Sequence, residues 1–187
     1  MVEATLEGEG RALAALCAIE LRIPKPLTRE GFDRFNTGYV AQLHRWGLAV
    51  DGHQPAARTN VAPEIDPPEQ PSLHAFCYTV EGGGTHPTFV ISGTPEPPGT
   101  AGGPPVFWAS IARILEERMA ALGVRWADAT ETQLYCARAD YEVFSSTELV
   151  RFEELARPGL RWSLSRPPVD FLNLEIDVRG LARESWL

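Results

Sequence analysis

Between Leu13 and Ile23 the apolar residues occupy every second position. Leu13, Ala15, Cys17, Ile19, Leu21 and Ile23 share one face, while Glu20 and Arg22 share the other. A period of two predicts a β-strand, and Pro24 and Pro26 end it. Beyond Thr28 the spacing changes to threes and fours, at Phe32, Phe35, Tyr39, Leu43 and Trp46. That spacing lays one apolar stripe along a helix capped by Thr28 and stopped at Gly47. Gly31 and Gly38 weaken it, each by about 1 kcal/mol relative to Ala. Residues 51–72 carry Pro55, Pro63, Pro67, Pro68 and Pro71 with almost no periodicity. They predict a long loop, of a length often tied to function.

Leu73–Val80 predicts a strand, residues 81–84 (Glu-Gly-Gly-Gly) a hairpin loop, and Thr88–Ser92 the returning partner strand. After a proline- and glycine-rich break at 95–105, Phe107, Ile111, Ile114, Leu115, Met119 and Leu122 fall on one helical face. Gly123 stands where a left-handed cap belongs. Thr130–Cys136 predicts a strand. Asp140 then caps a helix bearing Tyr141, Phe144, Phe152 and Leu155. Arg161–Arg166 and Phe171–Val178 are the closing strands, on either side of Pro167 and Pro168. From Leu73 onward the order is β-β-α-β-α-β-β. It predicts an α+β domain, a mainly antiparallel sheet with two helices on one face. Residues 1–72 form a strand–helix extension with its proline-rich loop, and residues 73–187 form the main domain. No internal repeat is clear, although the extension has the makings of a degenerate half of the same unit.

The bulk properties narrow the function class. The chain has 187 residues, 44% of them hydrophobic and 22% charged, enough to bury a core. A net charge of −8 leaves no basic footprint for nucleic acid, although one or two arginines in a cleft still suit an anionic small molecule. No apolar run approaches the ~20 residues that span a bilayer, and the acidic first nine residues lack a signal-peptide pattern. Cys17, Cys77 and Cys136 are scattered and odd in number, which fits reduced thiols of the cytoplasm rather than a disulfide framework. His44, His53, His74 and His86 show no metal-ligand spacing. A phosphate-binding glycine motif and a nucleophile elbow are both missing. These features predict a soluble, cytoplasmic protein that uses no metal or cofactor and binds neither nucleic acid nor membrane.

Four features act as a set: the strand ending Ile91-Ser92-Gly93, the helix ending Ala121-Leu122-Gly123, the Trp126-Ala127-Asp128 turn into a strand, and the terminal Leu174-Glu175-Ile176-Asp177. Together they resemble the Rid family (YjgF-type reactive-intermediate deaminases) over roughly residues 73–178. Residues 160–168, Leu-Arg-Trp-Ser-Leu-Ser-Arg-Pro-Pro, look closest to its aminomuconate-deaminase-like subgroup. The resemblance implies a homotrimer with clefts between subunits. It also implies cofactor-independent hydrolysis of the imine tautomer of a small enamine carboxylate, giving a keto acid and ammonia. In that reading Glu175 handles the proton, Arg161 or Arg166 grips the carboxylate, and His74 lines the cleft. Residues 1–72 have no counterpart in short members. Extra sequence of that kind also fits a chorismatase-like lyase, hydrolase or cyclisation enzyme of secondary metabolism, and a third reading is a non-catalytic small-molecule binder of the same family.

The residue types suit those roles. A guanidinium donates two parallel hydrogen bonds to a carboxylate and keeps its charge. On one strand Arg161 and Arg166 point to opposite faces, so a single cleft takes one of them. Glu175 and Asp177 share a strand face. They are either the solvent side of a half-buried sheet or acids whose pKa burial raises into the range of proton transfer. Ser92, Gly93 and Thr94 end a strand, where backbone N–H groups and hydroxyls can meet ligand oxygens, as an ordinary turn also would.

Overall fold

A computed structural model describes residues 1–51, 56–82, 84–147 and 159–185. Thr28 begins the first long helix as its position predicts, its Oγ1 accepting from the Gly31 N–H at 3.1 Å. The helix is α2, Arg29–Arg45. It follows a short helix, α1 (Val2–Gly8), a 3-10 turn at Leu13–Ala15, and strand β1 (Leu16–Arg22). Next come β2 (Ala57–Pro63), β3 (Ser72–Tyr78), β4 (Phe89–Pro95) and α3 (Pro104–Leu122). The chain closes with β5 (Glu131–Cys136), α4 (Arg138–Thr147), β6 (Leu160–Arg166) and β7 (Leu174–Gly180).

The strands form one seven-stranded sheet in the order β3-β1-β2-β6-β5-β7-β4. The α+β class holds, but the sheet is mixed rather than mainly antiparallel. β1 runs parallel to β2, and β5 parallel to β6. A helix between two neighbouring strands lets the chain cross over and return in the same direction, and α2 and α4 stand in those positions. A second correction concerns β3 and β4, which do not form a hairpin. They lie at opposite edges of the sheet, β3 against β1 and β4 against β7. The closing strands β6 and β7 are likewise separated, with β5 between them.

The stretch read as a loop contains β2. Its residues 59–62, Thr-Asn-Val-Ala, are all buried. A strand covered on both faces has no polar side to generate alternation. Asp140 is the third residue of α4 rather than its cap, and Phe152 and Leu155 lie outside the described residues.

Two apolar clusters hold the helices on. Phe107, Trp108, Ile111, Leu115 and Met119 of α3 and Phe144 of α4 pack on Leu134, Cys136, Leu174, Ile176 and Val178. Trp108 meets Phe144 edge-on, with ring centroids 5.2 Å apart, a favoured aromatic geometry. The other cluster joins Val2 and Leu6 of α1 and Leu43 of α2 to Leu16 and Ile19 of β1. Trp46 Nε1 ties α2 to α1 by donating to Glu3 at 2.6 Å. Gly123 ends α3 at φ +69°, the left-handed cap its position predicts.

The strand orders expose an internal likeness. β1-α2-β2-β3 arranges its strands 3-1-2, and β5-α4-β6-β7 does the same, with β7-β5-β6. The two units meet where β2 and β6 pair antiparallel, Ala62 opposite Arg166 and Pro63 opposite Ser165. β4 and α3 are additions to the second unit.

Candidate functional site between the facing strands

Alternation sorts the residues of β5, β6 and β7 by face. Their apolar members meet α3, so Gln133, Tyr135, Arg161, Ser163, Ser165, Glu175, Asp177 and Arg179 face the other way. Water does not cover most of that face. The sheet turns at the β2–β6 corner and brings β1 and β2 across from β7. Glu20 of β1 bridges to Arg179 at 2.5 Å, and Thr59 Oγ1 of β2 donates to Asp177. The polar face of β1, like that of β7, is therefore interior.

Asp177 collects four donors there. The Gly93 N–H reaches its Oδ1 at 2.9 Å, while Thr59 Oγ1, Tyr135 Oη (3.4 Å) and Arg179 Nη2 (3.1 Å) reach Oδ2. The single Tyr135 hydroxyl proton is shared between Asp177 and the nearer Gln133 Oε1. Gly93 is at a bulge in the β4–β7 ladder with φ +62°, and a Cβ there would stand 2.9 Å from the Arg58 carbonyl oxygen. Glycine at 93 thus lets β4 approach β2 and aim its N–H inward.

The buried charges are shifted accordingly. Burial raises the Asp177 pKa, opposed by Arg179, Thr59 and the Gly93 N–H. Burial pushes Glu175 well above the ordinary carboxylate range, with Asp177 and Glu96 adding to it and Arg58 and Arg22 opposing. Glu175 Oε1 has no hydrogen-bond partner among the described residues, the environment of a neutral acid. Burial also keeps Tyr135 a phenol, helped by Asp177 and Glu20. For Arg179, burial favours proton loss, but the Glu20 and Asp177 carboxylates outweigh it and hold the guanidinium charged.

A hollow of about 430 Å3 opens beside this cluster, lined in part by Arg22, His74, Gln133, Tyr135, Arg161, Ser163 and Ser165. Arg22 is mostly buried, 3.4 Å from Glu20, and its guanidinium lies 5.7 Å from the Tyr135 ring centroid. Arg161 is half exposed and pairs with Glu131 at 3.0 Å and Glu184 at 3.7 Å. The Glu184 pair is exposed and contributes ~1 kcal/mol or less, whereas Glu131 is mostly buried, so giving up that partner for a ligand carboxylate costs Arg161 more. Among the described residues no three His, Cys, Asp or Glu side chains gather as a metal would require.

The predicted site residues divide. Arg161 and His74 line the hollow, with His74 at its exposed rim. Glu175 is interior, directly opposite Tyr135 across the ladder, and is not part of the lining. Arg166 points away and pairs with Glu64 at 3.6 Å. The Gly93 N–H is spent on Asp177, and the Thr94 hydroxyl accepts from Arg118 at 2.7 Å. The Ser92 carbonyl accepts from the same arginine, and its hydroxyl is buried without a partner among the described residues. These three residues brace the β4 bulge. The sequence reading missed Arg22, Gln133, Tyr135 and Arg179. Its signal was the alternation Leu174-Glu175-Ile176-Asp177-Val178-Arg179, three charged side chains on one face, beside Glu20 and Arg22 on one face of β1.

The family model described as 2-aminomuconate deaminase CnbZ matches residues 1–105 and 108–185. The chain belongs to that family. A curated relative, the 2-amino-5-chloromuconate deaminase of Comamonas testosteroni, is 37% identical over 203 aligned residues, covering 100% of this chain and 80% of the relative. The family match takes in β1, β2 and α2 as well as the later strands, so Arg22 and Arg161 both fall within it.

Proposed function

We propose that the protein removes the amino group of a 2-aminomuconate-type dicarboxylate as ammonia, leaving a 2-oxo acid. Two guanidinium groups entering one hollow carry this reading, since Arg22 and Arg161 both line it. A muconate holds a carboxylate at each end of a conjugated six-carbon chain, and its 2-amino derivative is an enamine. Protonation on carbon converts the enamine to an iminium, which water attacks at the carbon bearing nitrogen. The carbinolamine then expels ammonia as its C–N bond breaks and a carbonyl forms.

The geometry supplies positioning and charge. Arg22, oriented by Glu20 and the Tyr135 ring, holds the carboxylate nearest the reacting carbon, and Arg161 takes the other. Gln133, Ser163 and Ser165 offer hydrogen bonds along the chain between them. Glu175 serves as a neutral buried acid. A charged carboxylate there would draw on Arg22, whereas the protonated form leaves that cation for the substrate. Held reactants of this kind can lower a barrier by several kcal/mol through orientation alone.

The direct test is incubation of the purified protein with 2-aminomuconate under coupled ammonia detection. Stoichiometric ammonia and 2-oxo acid are expected. Substrate depletion no faster than the uncatalysed rate contradicts the assignment.

A further inference from the structure

His74 is placed by a break in the β1–β3 ladder. Glu20 pairs with Ala75, but the next residue, Leu21, pairs with Leu73, leaving His74 as the extra residue between them. A bulge re-aims a side chain and is common beside active sites. Here Leu73 and Phe76 pack in the α1–α2 core, while His74 joins the lining of the hollow with Arg22, Tyr135 and Arg161. No hydrogen bond of its side chain to another described residue engages either ring nitrogen, and the ring lies at the exposed rim.

Resting on the deaminase reading, we propose that His74 is the catalytic base that takes a proton from the attacking water and returns it to the departing nitrogen. As water oxygen bonds to the iminium carbon, one water proton passes to the neutral imidazole. The carbinolamine nitrogen then takes that proton, the C–N bond breaks, and ammonia leaves with the bonding pair. The hydroxyl proton is released to water as the carbonyl forms, balancing the one taken up at carbon when the enamine became the iminium, and His74 ends neutral, so no further reactant is needed.

The surroundings keep the imidazole neutral. Partial burial lowers its pKa from the ordinary 6.5, and Arg22, Arg179 and Arg161 lower it further, against Glu20. Those are the charged groups facing it from β1, β7 and β6, and the Tyr135 phenol of β5 completes the lining. The other titratable side chains of the hollow are guanidiniums and a phenol held protonated. Neither accepts a proton near neutrality.

The experiment compares wild type with His74→Gln and His74→Asn in the ammonia assay across pH. General-base catalysis contributes roughly 10²–10⁴-fold. Both variants should lose at least about 10²-fold in kcat with KM changed less than about threefold, and recover part of it in added imidazole, because the rim is open. Wild-type kcat/KM should fall in acid, at a pH below the ordinary imidazole value of 6.5, and both variants should lose that limb. Folded variants that keep wild-type kcat and the acidic limb overturn the role of His74 and leave the deaminase reading standing. Wild type that releases no ammonia overturns both. A loss of turnover that imidazole does not relieve, with the acidic limb still present, also counts against His74.

Discussion

Arg22→Ala is expected to reduce kcat/KM for 2-aminomuconate by roughly 10–10²-fold, the worth of one charge-assisted hydrogen-bonding group. Arg22 is mostly buried and braced by Glu20 and the Tyr135 ring, so its guanidinium is ordered before substrate arrives. Arg161→Ala should cost less, because that side chain is half exposed and must first leave Glu131 and Glu184. If the two grip opposite ends of one substrate, the double variant should lose about the sum of the two free energies. Arg166→Ala is the control. Its guanidinium pairs with Glu64 outside the hollow, and steady-state kinetics should find it close to wild type. An Arg166 effect larger than that of Arg22 would move the anchor to the other face of β6.

The largest stability effect belongs to Arg179→Met. The wild-type guanidinium touches Glu20 at 2.5 Å and Asp177 at 3.1 Å, and its side chain is 6% exposed. Removing it takes the one cation from buried Asp177 among the described residues and leaves buried Glu20 with Arg22 alone. Breaking a buried ion pair this way costs about 3–5 kcal/mol, which for a chain of this size lowers Tm on the order of 10 °C. Without Arg179 the folded-state pKa of Asp177 rises further, so the deficit is greatest at neutral pH and shrinks in acid, where the carboxyls are neutral in folded and unfolded chains alike. Thermal melts at pH 5 and pH 8 check both the size and the trend. An unchanged Tm at pH 8 would show that the cluster does not hold β1 to β7.

What the sequence made legible depended on one-sided burial. The α2 and α3 stripes, the Thr28 cap and the Gly123 stop all appear because a helix with one wet face writes its period into the chain. β2 was illegible for the opposite reason, since Thr59, Asn60, Val61 and Ala62 are all buried and leave no polar rhythm. The pairing of β3 with β1 rather than β4 is also hidden, because adjacency in sequence favours a hairpin and only the register sends the strands to opposite edges. The site was half legible. Glu175 and Asp177 were visible as a shared face, but alternation alone does not say whether a polar face meets water or another polar face. Glu20 opposite Arg179 answers that, and the contact spans 159 residues of chain (179 − 20). Arg161 was recognisable, with Arg166, as a candidate to grip a carboxylate, and of the two it is the one that lines the hollow. Arg22 was not recognisable, because it sat on what read as the outer side of an ordinary amphipathic strand.

The most direct measurement is calorimetric titration of wild type and the Arg22→Ala/Arg161→Ala double variant with muconate, a dicarboxylate with no amino group to lose. One-to-one binding to wild type is expected, with a Kd at least about 10²-fold weaker for the folded double variant, the loss of two charged anchors. Equal affinity in the two proteins would contradict the two-arginine site.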